Sequence, residues 1–219
     1  MATKKTVGVV LAGCGFLDGA EIHEATLTLL SLDKRGATIV GMAPNVDQMH
    51  VVDHVAGRPV DGRRNVLQEA ARITRGQIRD LSTVKGVELD ALVFPGGFGV
   101  AKNLCTWATD GARMKVNAEV ERLIRELHAV KKPMGFICIA PVIAAKVLGH
   151  GVKVTIGDDK KTAEGIEAMG GKHVVHRVDE IELDQDQRVV STPAYMLGPS
   201  IAPVSAGIDR LVSALIEMA

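Results

Sequence analysis

The sequence has few cysteines, few aromatic residues and no excess charge of either sign, and each shortage excludes a class of protein. The three cysteines are widely spaced, which excludes a disulfide framework and a CxxC metal site and favours a reducing compartment. Lys plus Arg equals Asp plus Glu at 26 each, so the basic surface of a nucleic-acid-binding protein is missing. No apolar run approaches the roughly 20 residues of a membrane helix. We therefore expect a soluble, cytoplasmic protein with no metal, nucleic-acid or membrane partner.

What the chain does have is enough apolar sequence for one α/β domain covering residues 1–219. Hydrophobic residues make up 47% of the 219 positions, and no repeat, low-complexity tract or linker interrupts them. Residues 6–12 predict a central strand, residues 18–35 a helix that ends at Gly36, and residues 37–42 a second strand. This βαβ opening predicts a mostly parallel sheet that binds ligands beyond the carboxyl ends of its strands.

The remaining sequence continues the alternation of strands and helices. It predicts a hairpin, a helix capped by Asn65, a strand, a long amphipathic helix and then a buried strand that runs into Cys138. A helix, a strand, a helix, two β segments and a last helix follow. In chain order the predicted ranges with bounds are 49–58, 89–94, 113–130, 141–148, 152–156, 162–169, 180–183, 189–192 and 201–217.

The stretch PMGFICIAP, residues 133–141, is the first candidate for chemistry. Phe136 and Ile137 suit a buried strand, and Pro141 suits the first turn of a helix. Cys138 would then lie at a strand-to-helix corner, where backbone N–H groups and the helix dipole lower a cysteine pKa. The alternative is that Cys138 is a small buried hydrophobe, which is the common fate of a free cysteine.

Two further strand ends carry unusual residues. Acidic residues follow the first strand between positions 18 and 24, and Gly96-Gly97 follows the third core strand. In a doubly wound sheet these ends meet Cys138 at one edge, where a thiol, a carboxyl and backbone N–H groups could act together. The alternatives are that the glycines only form a turn and that the acidic side chains face solvent.

Three motifs together identify a family. GFICIAP at 135–141, PGGFGVAKNL at 95–104 and AGCGFLDGAEIHEA at 12–25 resemble the PfpI-type class I glutamine-amidotransferase-like superfamily. Within it the likeness is to the group of enhancing lycopene biosynthesis proteins, and it extends to TIG at 155–157 and TPAYML at 192–197. The resemblance implies a flavodoxin-like three-layer sandwich with a mostly parallel central sheet and an elbow cysteine. It also implies a homodimer and thiol chemistry on small carbonyl substrates.

The resemblance assigns roles to particular residues. Cys138 matches the elbow nucleophile, Glu24 matches its carboxyl partner, and the backbone N–H groups of Gly97 and Ile139 match an oxyanion hole. Glu21 is a rival for Glu24, because it lies three residues earlier and nearly on the same helix face. A carboxylate would repel a thiolate, so the glutamate is expected to be protonated and to donate a hydrogen bond to sulfur. Further pocket residues from this reading are Cys14, Gly96, Asn103 and Tyr195.

The sequence departs from the family pattern where a catalytic histidine is expected. The late segment at 192–195 reads Thr-Pro-Ala-Tyr, and positions 156–158 read Ile-Gly-Asp. The base of a Cys–His pair is therefore missing from both places, which argues against glutamine amidotransferase activity. His23 and His150 are the remaining histidines weighed for such a role, and neither has a position that favours it.

Two functions fit these residues. The first is a glutathione-independent glyoxalase that converts glyoxal or methylglyoxal to a 2-hydroxy acid through a Cys138 hemithioacetal, with Glu24 moving the proton and no cofactor. The second is a non-enzymatic thiol sensor in isoprenoid biosynthesis or stress response, based on oxidation of an accessible thiol. The same residues serve both functions, so the sequence does not separate them.

Overall fold

The computed structural model describes residues 4–219 and contains one seven-stranded sheet and two small ribbons. The order of the main sheet is β10-β11-β7-β6-β1-β2-β5, and every neighbouring pair is parallel except β10 with β11. Its strands are β1 (Thr6–Val10), β2 (Thr38–Ala43), β5 (Arg79–Asp80), β6 (Ala91–Phe94), β7 (Met134–Ile137), β10 (Glu182–Asp184) and β11 (Val189–Thr192). The ribbons pair β3 (Val51–Asp53) with β4 (Arg58–Val60), and β8 (Lys153–Val154) with β9 (Lys172–His173).

Seven α-helices cover the two faces of the sheet. They are α1 (Ile22–Lys34), α2 (Val66–Ile73), α3 (Trp107–Asp110), α4 (Ala118–Ala129), α5 (Pro141–Leu148), α6 (Lys160–Ala168) and α7 (Ile201–Met218). Helices α1, α2 and α7 share one buried apolar cluster, whereas α4, α5 and α6 share another. The chain is therefore an α/β sandwich with helices on both sides of a mostly parallel sheet, and the predicted fold class is confirmed.

The apolar runs of the central strands explain the two clusters. Successive side chains of a strand point to opposite faces, so Val7 and Val9 of β1 join one cluster and Val10 joins the other. Both faces are covered by helices, which is why β1 reads as a nearly continuous apolar run rather than an alternating one. Phe94, the last residue of β6, pairs with Phe136, the next-to-last residue of β7, and their rings stack 5.0 Å apart below the carboxyl edge of the sheet.

Most predicted elements are present, and the differences lie at their ends. The helix predicted at 18–35 begins only at Ile22, because the Glu21 side chain caps it by accepting from the Glu24 N–H. The helix predicted at 113–130 likewise begins after the Asn117 cap. The strand predicted at 152–156 shortens to β8, which pairs in a ribbon rather than in the main sheet.

Several short elements were not predicted, among them α3 and β9. β5 has two residues and pairs with the end of β2 at the sheet edge. Residues Val100–Leu104 form a single π-helical turn shortly after the Gly96-Gly97 turn. None of these elements is long enough to show a hydrophobic period in the sequence.

No helix among the described residues has both the length and the apolar character needed to cross a membrane.

Candidate active site

Cys138 occupies a sharp turn between β7 and α5. Its φ is +62°, a left-handed conformation that is uncommon for a residue with a side chain. The turn is fixed by the Cys138 N–H, which donates to Thr192 O at 3.0 Å, and by Pro141, which begins α5. The sulfur is brought to the carboxyl edge of the sheet with the side chain 8% exposed. A non-glycine residue held in this conformation at a sheet edge marks a candidate functional position.

Glu24 points into the same edge from the first turn of α1 and is fully buried. Both of its carboxyl oxygens accept backbone hydrogen bonds, Oε2 from Gly96 N at 2.9 Å and Oε1 from Tyr195 N at 3.1 Å. Burial raises the Glu24 pKa to about 8, the nearby Glu21 charge adds to the rise, and the hydrogen bonds oppose it. The carboxyl is therefore mostly protonated at neutral pH and lies beside the Cys138 thiol.

The same surroundings act on the Cys138 pKa in the direction opposite to the one predicted. Burial raises the pKa well above its usual value, and the Glu24 charge raises it further. The N–H groups of Gly97 and Ile139 interact with the sulfur and lower the pKa, but they do not outweigh burial. The expectation of a lowered cysteine pKa at this corner is wrong, because desolvation exceeds the stabilisation from free N–H groups.

The Gly96-Gly97 turn lets the backbone come close to both reactive groups. A Cβ on Gly96 would lie 2.6 Å from Glu24 Oε2 and 3.0 Å from Cys138 Sγ, and it would also overlap the Cys138 Cβ. Gly97 has a φ of +99°, which favours glycine. In the part of the chain that the structure describes, the N–H groups of Gly97 and Ile139 have no carbonyl or carboxylate partner. Free N–H groups beside a thiol are the kind of donor that can stabilise an oxyanion formed next to the sulfur.

The side chains of Glu21 and Glu24 have different roles in the structure. The Glu21 carboxylate accepts from the Glu24 N–H at 2.7 Å and so caps α1, whereas the Glu24 side chain faces Cys138. Only one of the two rival carboxyl groups is therefore beside the thiol.

The other predicted pocket residues divide between the site and its surroundings. Tyr195 lies at the site, because its N–H holds Glu24 and its hydroxyl lies 2.7 Å from His23 Nδ1. Asn103 does not lie at the site. It is buried, its amide nitrogen donates to the carbonyls of Ala12 and Asp18, and its oxygen accepts from Met49 N. Its prediction as a pocket residue is corrected, since all its polar atoms are used in tying loops together.

Cys14 also lies apart from the reactive pair. The charges that act on its thiol belong to Glu69, Arg72, Asp18 and Arg64, and burial raises its pKa. None of these four residues acts on Cys138. The predicted second thiol of the pocket therefore has surroundings of its own, beside α2.

No described histidine is hydrogen-bonded to Cys138. His23 contacts the Tyr195 hydroxyl at the site, whereas His176 pairs with Glu182 at 2.7 Å and His128 with Gln187 at 2.8 Å. His150 lies exposed in a turn with a φ of +46°. The titratable side chain that acts on the Cys138 thiol is therefore the Glu24 carboxyl.

A cleft of about 650 Å³ lies next to the pair, and sequence reasoning missed it. Its wall includes Ile139, which follows Cys138, and Phe98, which follows Gly97. Trp107, the only tryptophan in the chain, lines it as well. The cleft brings together residues from the π-turn segment, α3, α6 and the 194–196 turn, so no local sequence pattern marks it.

No protein-family profile matches the chain, but curated relatives and solved structures do. The chain is 49% identical over 97% of its length to the human "Glutamine amidotransferase-like class 1 domain-containing protein 3, mitochondrial", of which it covers 82%. It is 47% identical to the rat "ES1 protein homolog, mitochondrial", again over 97% of its length and 83% of that protein.

Both relatives, and the zebrafish ES1 protein at 36% identity, are named mitochondrial proteins. The expectation of a cytoplasmic protein is wrong on this finding, which points to mitochondria instead. A low cysteine count indicates a reducing environment, and that property does not distinguish the two compartments.

Solved structures extend the similarity to the whole fold. An isoprenoid biosynthesis protein with an amidotransferase-like domain from Ehrlichia chaffeensis has a TM-score of 0.91 and 38% identity, covering 98% of this chain and all of that one. A ThiJ/PfpI domain protein from Brachyspira murdochii has a TM-score of 0.59 at 16% identity, covering 99% and 97%, which shows a shared fold alone. On these identities and coverages, the chain belongs to the family of glutamine amidotransferase-like class 1 domain proteins that includes the ES1 proteins.

Proposed function

We propose that the protein is a cofactor-independent glyoxalase-type enzyme that converts small 2-oxoaldehydes to 2-hydroxy acids. The observation that supports it most is the buried Glu24 carboxyl, with a pKa of about 8, held against the Cys138 thiol by two backbone hydrogen bonds. A proton shuttle needs a pKa near the working pH, and this carboxyl meets that condition.

The chemistry begins with addition of sulfur to the aldehyde carbon. The ionised fraction of Glu24 takes the thiol proton as the carbon–sulfur bond forms, and the N–H groups of Gly97 and Ile139 stabilise the new oxyanion. The proton then passes to that oxygen and gives a hemithioacetal. Glu24 is ionised again at the end of this step.

The next steps move a proton between adjacent carbons and release the product. Glu24 removes the hydrogen of the former aldehyde carbon and returns a proton to the neighbouring carbon through an enediol. The first carbon is oxidised to a thioester and the second is reduced to an alcohol, so no external oxidant or reductant is consumed. Water cleaves the carbon–sulfur bond, and the net reaction is addition of one water to the 2-oxoaldehyde.

Two other functions receive less support. A redox sensor needs an accessible thiolate, whereas Cys138 is buried with a raised pKa. Absence of selective oxygen addition at Cys138 after mild peroxide, measured by intact mass, is the result we expect. Glutamine amidotransferase activity needs a histidine base beside the thiol, and no described histidine is hydrogen-bonded to Cys138. The Ehrlichia protein is named for isoprenoid biosynthesis, and that name does not identify the pathway of this chain.

The direct test is conversion of methylglyoxal to lactate, followed by NMR against a simple thiol at equal concentration. We expect catalytic turnover by the wild-type protein and a loss of about 10³-fold or more in Cys138→Ala, as for removal of a covalent nucleophile. Cys105→Ala is the matched control, because its thiol is buried and hydrogen-bonded to Val100 O. Equal rates in Cys138→Ala and wild type would show that the proposal is wrong.

A further inference from the structure

The cleft beside the reactive pair is built from the neighbours of the reacting groups. Phe98 follows Gly97, and Ile139 directly follows Cys138. Tyr195, which also lines the cleft, is the residue whose N–H holds the Glu24 carboxyl. A molecule that reacts at the sulfur therefore extends into this cleft if it is larger than its reacting end.

The cleft is large compared with the smallest 2-oxoaldehydes. Its volume of about 650 Å³ falls in the range of roughly 300 to 1,000 Å³ that holds drug-sized ligands. Methylglyoxal is a three-carbon molecule and would fill a small part of it. A site of this size contributes little to binding such a substrate, because most of its wall would stay in contact with water.

Much of the cleft wall is apolar. Phe98, Ala101, Ile139 and Met196 contribute hydrophobic surface; Ala101 is buried, whereas Phe98 is 54% exposed. The Trp107 ring packs on α6 at Gly165, where a Cβ would overlap the ring, so this part of the wall is fixed in place. An alkyl chain or a ring would replace water on this surface.

The charged residues that line the cleft are Asp159 and Lys161, and both are exposed. The Lys102 ammonium lies 5.4 Å from the Phe98 ring and donates to Leu17 O. The first turn of α6 is already capped, because Asp159 Oδ1 accepts from Thr162 N at 2.8 Å and adds a negative charge there. The cleft therefore favours an uncharged, apolar substituent over a phosphate or carboxylate.

We infer that the cleft binds the apolar substituent of a 2-oxoaldehyde whose alkyl chain or ring is longer than the methyl group of methylglyoxal. The inference rests on the proposed function for the reacting end of the molecule. The apolar wall and its position beside Ile139 and Tyr195 support the substituent independently of catalysis.

Binding can be measured apart from catalysis, because Trp107 is the chain's only tryptophan and lines the cleft. The probes are 2,3-octanedione and 2,3-butanedione, which share the dicarbonyl and differ in the length of the alkyl chain. The protein is the full chain with Cys138→Ala, so no covalent bond contributes. We expect the Trp107 fluorescence to titrate with octanedione at a dissociation constant at least about tenfold lower than with butanedione.

A cleft-filling variant and its control complete the experiment. Ala112 lines the cleft, and Ala112→Phe should remove the preference for octanedione, whereas Ala56→Phe in the exposed hairpin turn should keep it. Equal dissociation constants for the two diones in the protein with an intact cleft overturn the inference. A clear chain-length preference without turnover of any 2-oxoaldehyde by wild type upholds the cleft and rejects the proposed function instead.

Discussion

At the scale of single residues, Gly96 has the strictest requirement in the site. Its N–H donates to Glu24, and the space where a Cβ would stand is filled by Glu24 Oε2 and Cys138. Any side chain there must push the thiol and the carboxyl apart. Distance between two reacting groups is the property that such a substitution changes first.

We predict that Gly96→Ala lowers turnover by about 10²-fold or more and costs roughly 1 to 3 kcal/mol of unfolding free energy, because the site is overpacked. Turnover and urea denaturation measure the two effects. Gly57→Ala is the control, since nothing lies within 4 Å of a Cβ there and only its φ of +66° opposes alanine. Full activity in Gly96→Ala would contradict the close approach of the backbone.

A second prediction concerns the ionisation of Glu24. The proposed base acts as a carboxylate, and burial raises its pKa to about 8, so its ionised fraction grows about tenfold per pH unit below that value. Wild-type kcat/KM should therefore rise about tenfold between pH 6 and 7 and level off above about pH 8. Steady-state assays over this range measure the profile.

Glu21→Gln provides the comparison for that profile. The Glu21 charge raises the Glu24 pKa, and a glutamine oxygen can still accept from the Glu24 N–H and cap α1. The midpoint of the profile should shift to lower pH in this variant. An unchanged midpoint, or a flat profile in wild type, would show that Glu24 is not the titrating group.

At the scale of secondary structure elements, α1 positions Glu24 and is fastened to α7. Asp209 on α7 accepts from Ser31 Oγ at 2.6 Å and from Arg35 Nη1 at 2.7 Å, and Arg35 Nη2 reaches its second oxygen at 3.1 Å. The Arg35 and Ser31 hydrogen bonds lower the Asp209 pKa to about 2. The Asp209 side chain is half exposed, so solvent reduces the energy that this shift represents.

We predict that Asp209→Ala lowers the unfolding free energy by about 1 kcal/mol at pH 7, which is large for a surface ion pair because the contact is bidentate. Glu121→Ala is the control: it removes an exposed pair with Arg125 on α4 and should cost a few tenths. Since the Asp209 pKa is lowered, the difference should disappear as the pH falls from about 4 to 2. Equal stability of the two variants at pH 7 would contradict the role of Asp209 in holding α1 to α7.

Elements with a clear period could be predicted from the sequence, and contacts between distant segments could not. Helix α5 and strand β11 have the predicted bounds, because Pro141 starts one and an apolar run forms the other. The first helix starts late, since a capping side chain decides the boundary. The π-helical turn and two-residue β5 are too short to show a period.

The same distinction applies to the site. The resemblance predicted Glu24 as the carboxyl partner of Cys138, and the two side chains lie together in the structure. The direction of the Cys138 pKa could not be predicted, because it depends on burial by chain segments far apart in sequence. Asn103 was taken for a pocket residue for a related reason: its partners at Ala12 and Met49 are distant along the chain.

At the scale of the whole molecule, the buried Glu24 carboxyl lowers the stability of the folded protein as the pH rises. Folding raises the Glu24 pKa from 4.5 to about 8, so the folded state binds the proton more tightly than the unfolded chain. The associated stability is complete below about pH 4.5 and is lost as the pH rises through about 8. This behaviour is opposite to that of Asp209.

We predict that the unfolding free energy of wild type falls by roughly 3 to 5 kcal/mol between pH 4.5 and 8 through this group alone. Glu24→Gln should lack that loss, because glutamine does not ionise. Comparing the pH dependence of the two proteins by urea denaturation removes the contributions of the other titrating groups. Parallel curves would mean that folding does not raise the Glu24 pKa. The homodimer implied by the resemblance remains a prediction.

The central claim is that Cys138 forms a covalent bond with the substrate and that the bond is later hydrolysed. Its most direct test is a single turnover of methylglyoxal, quenched in acid and analysed by peptide mass spectrometry. We expect a 2-hydroxyacyl thioester on the peptide that contains Cys138, formed and lost at rates consistent with kcat. Turnover without any adduct on Cys138, or with the adduct on Cys14, would contradict it.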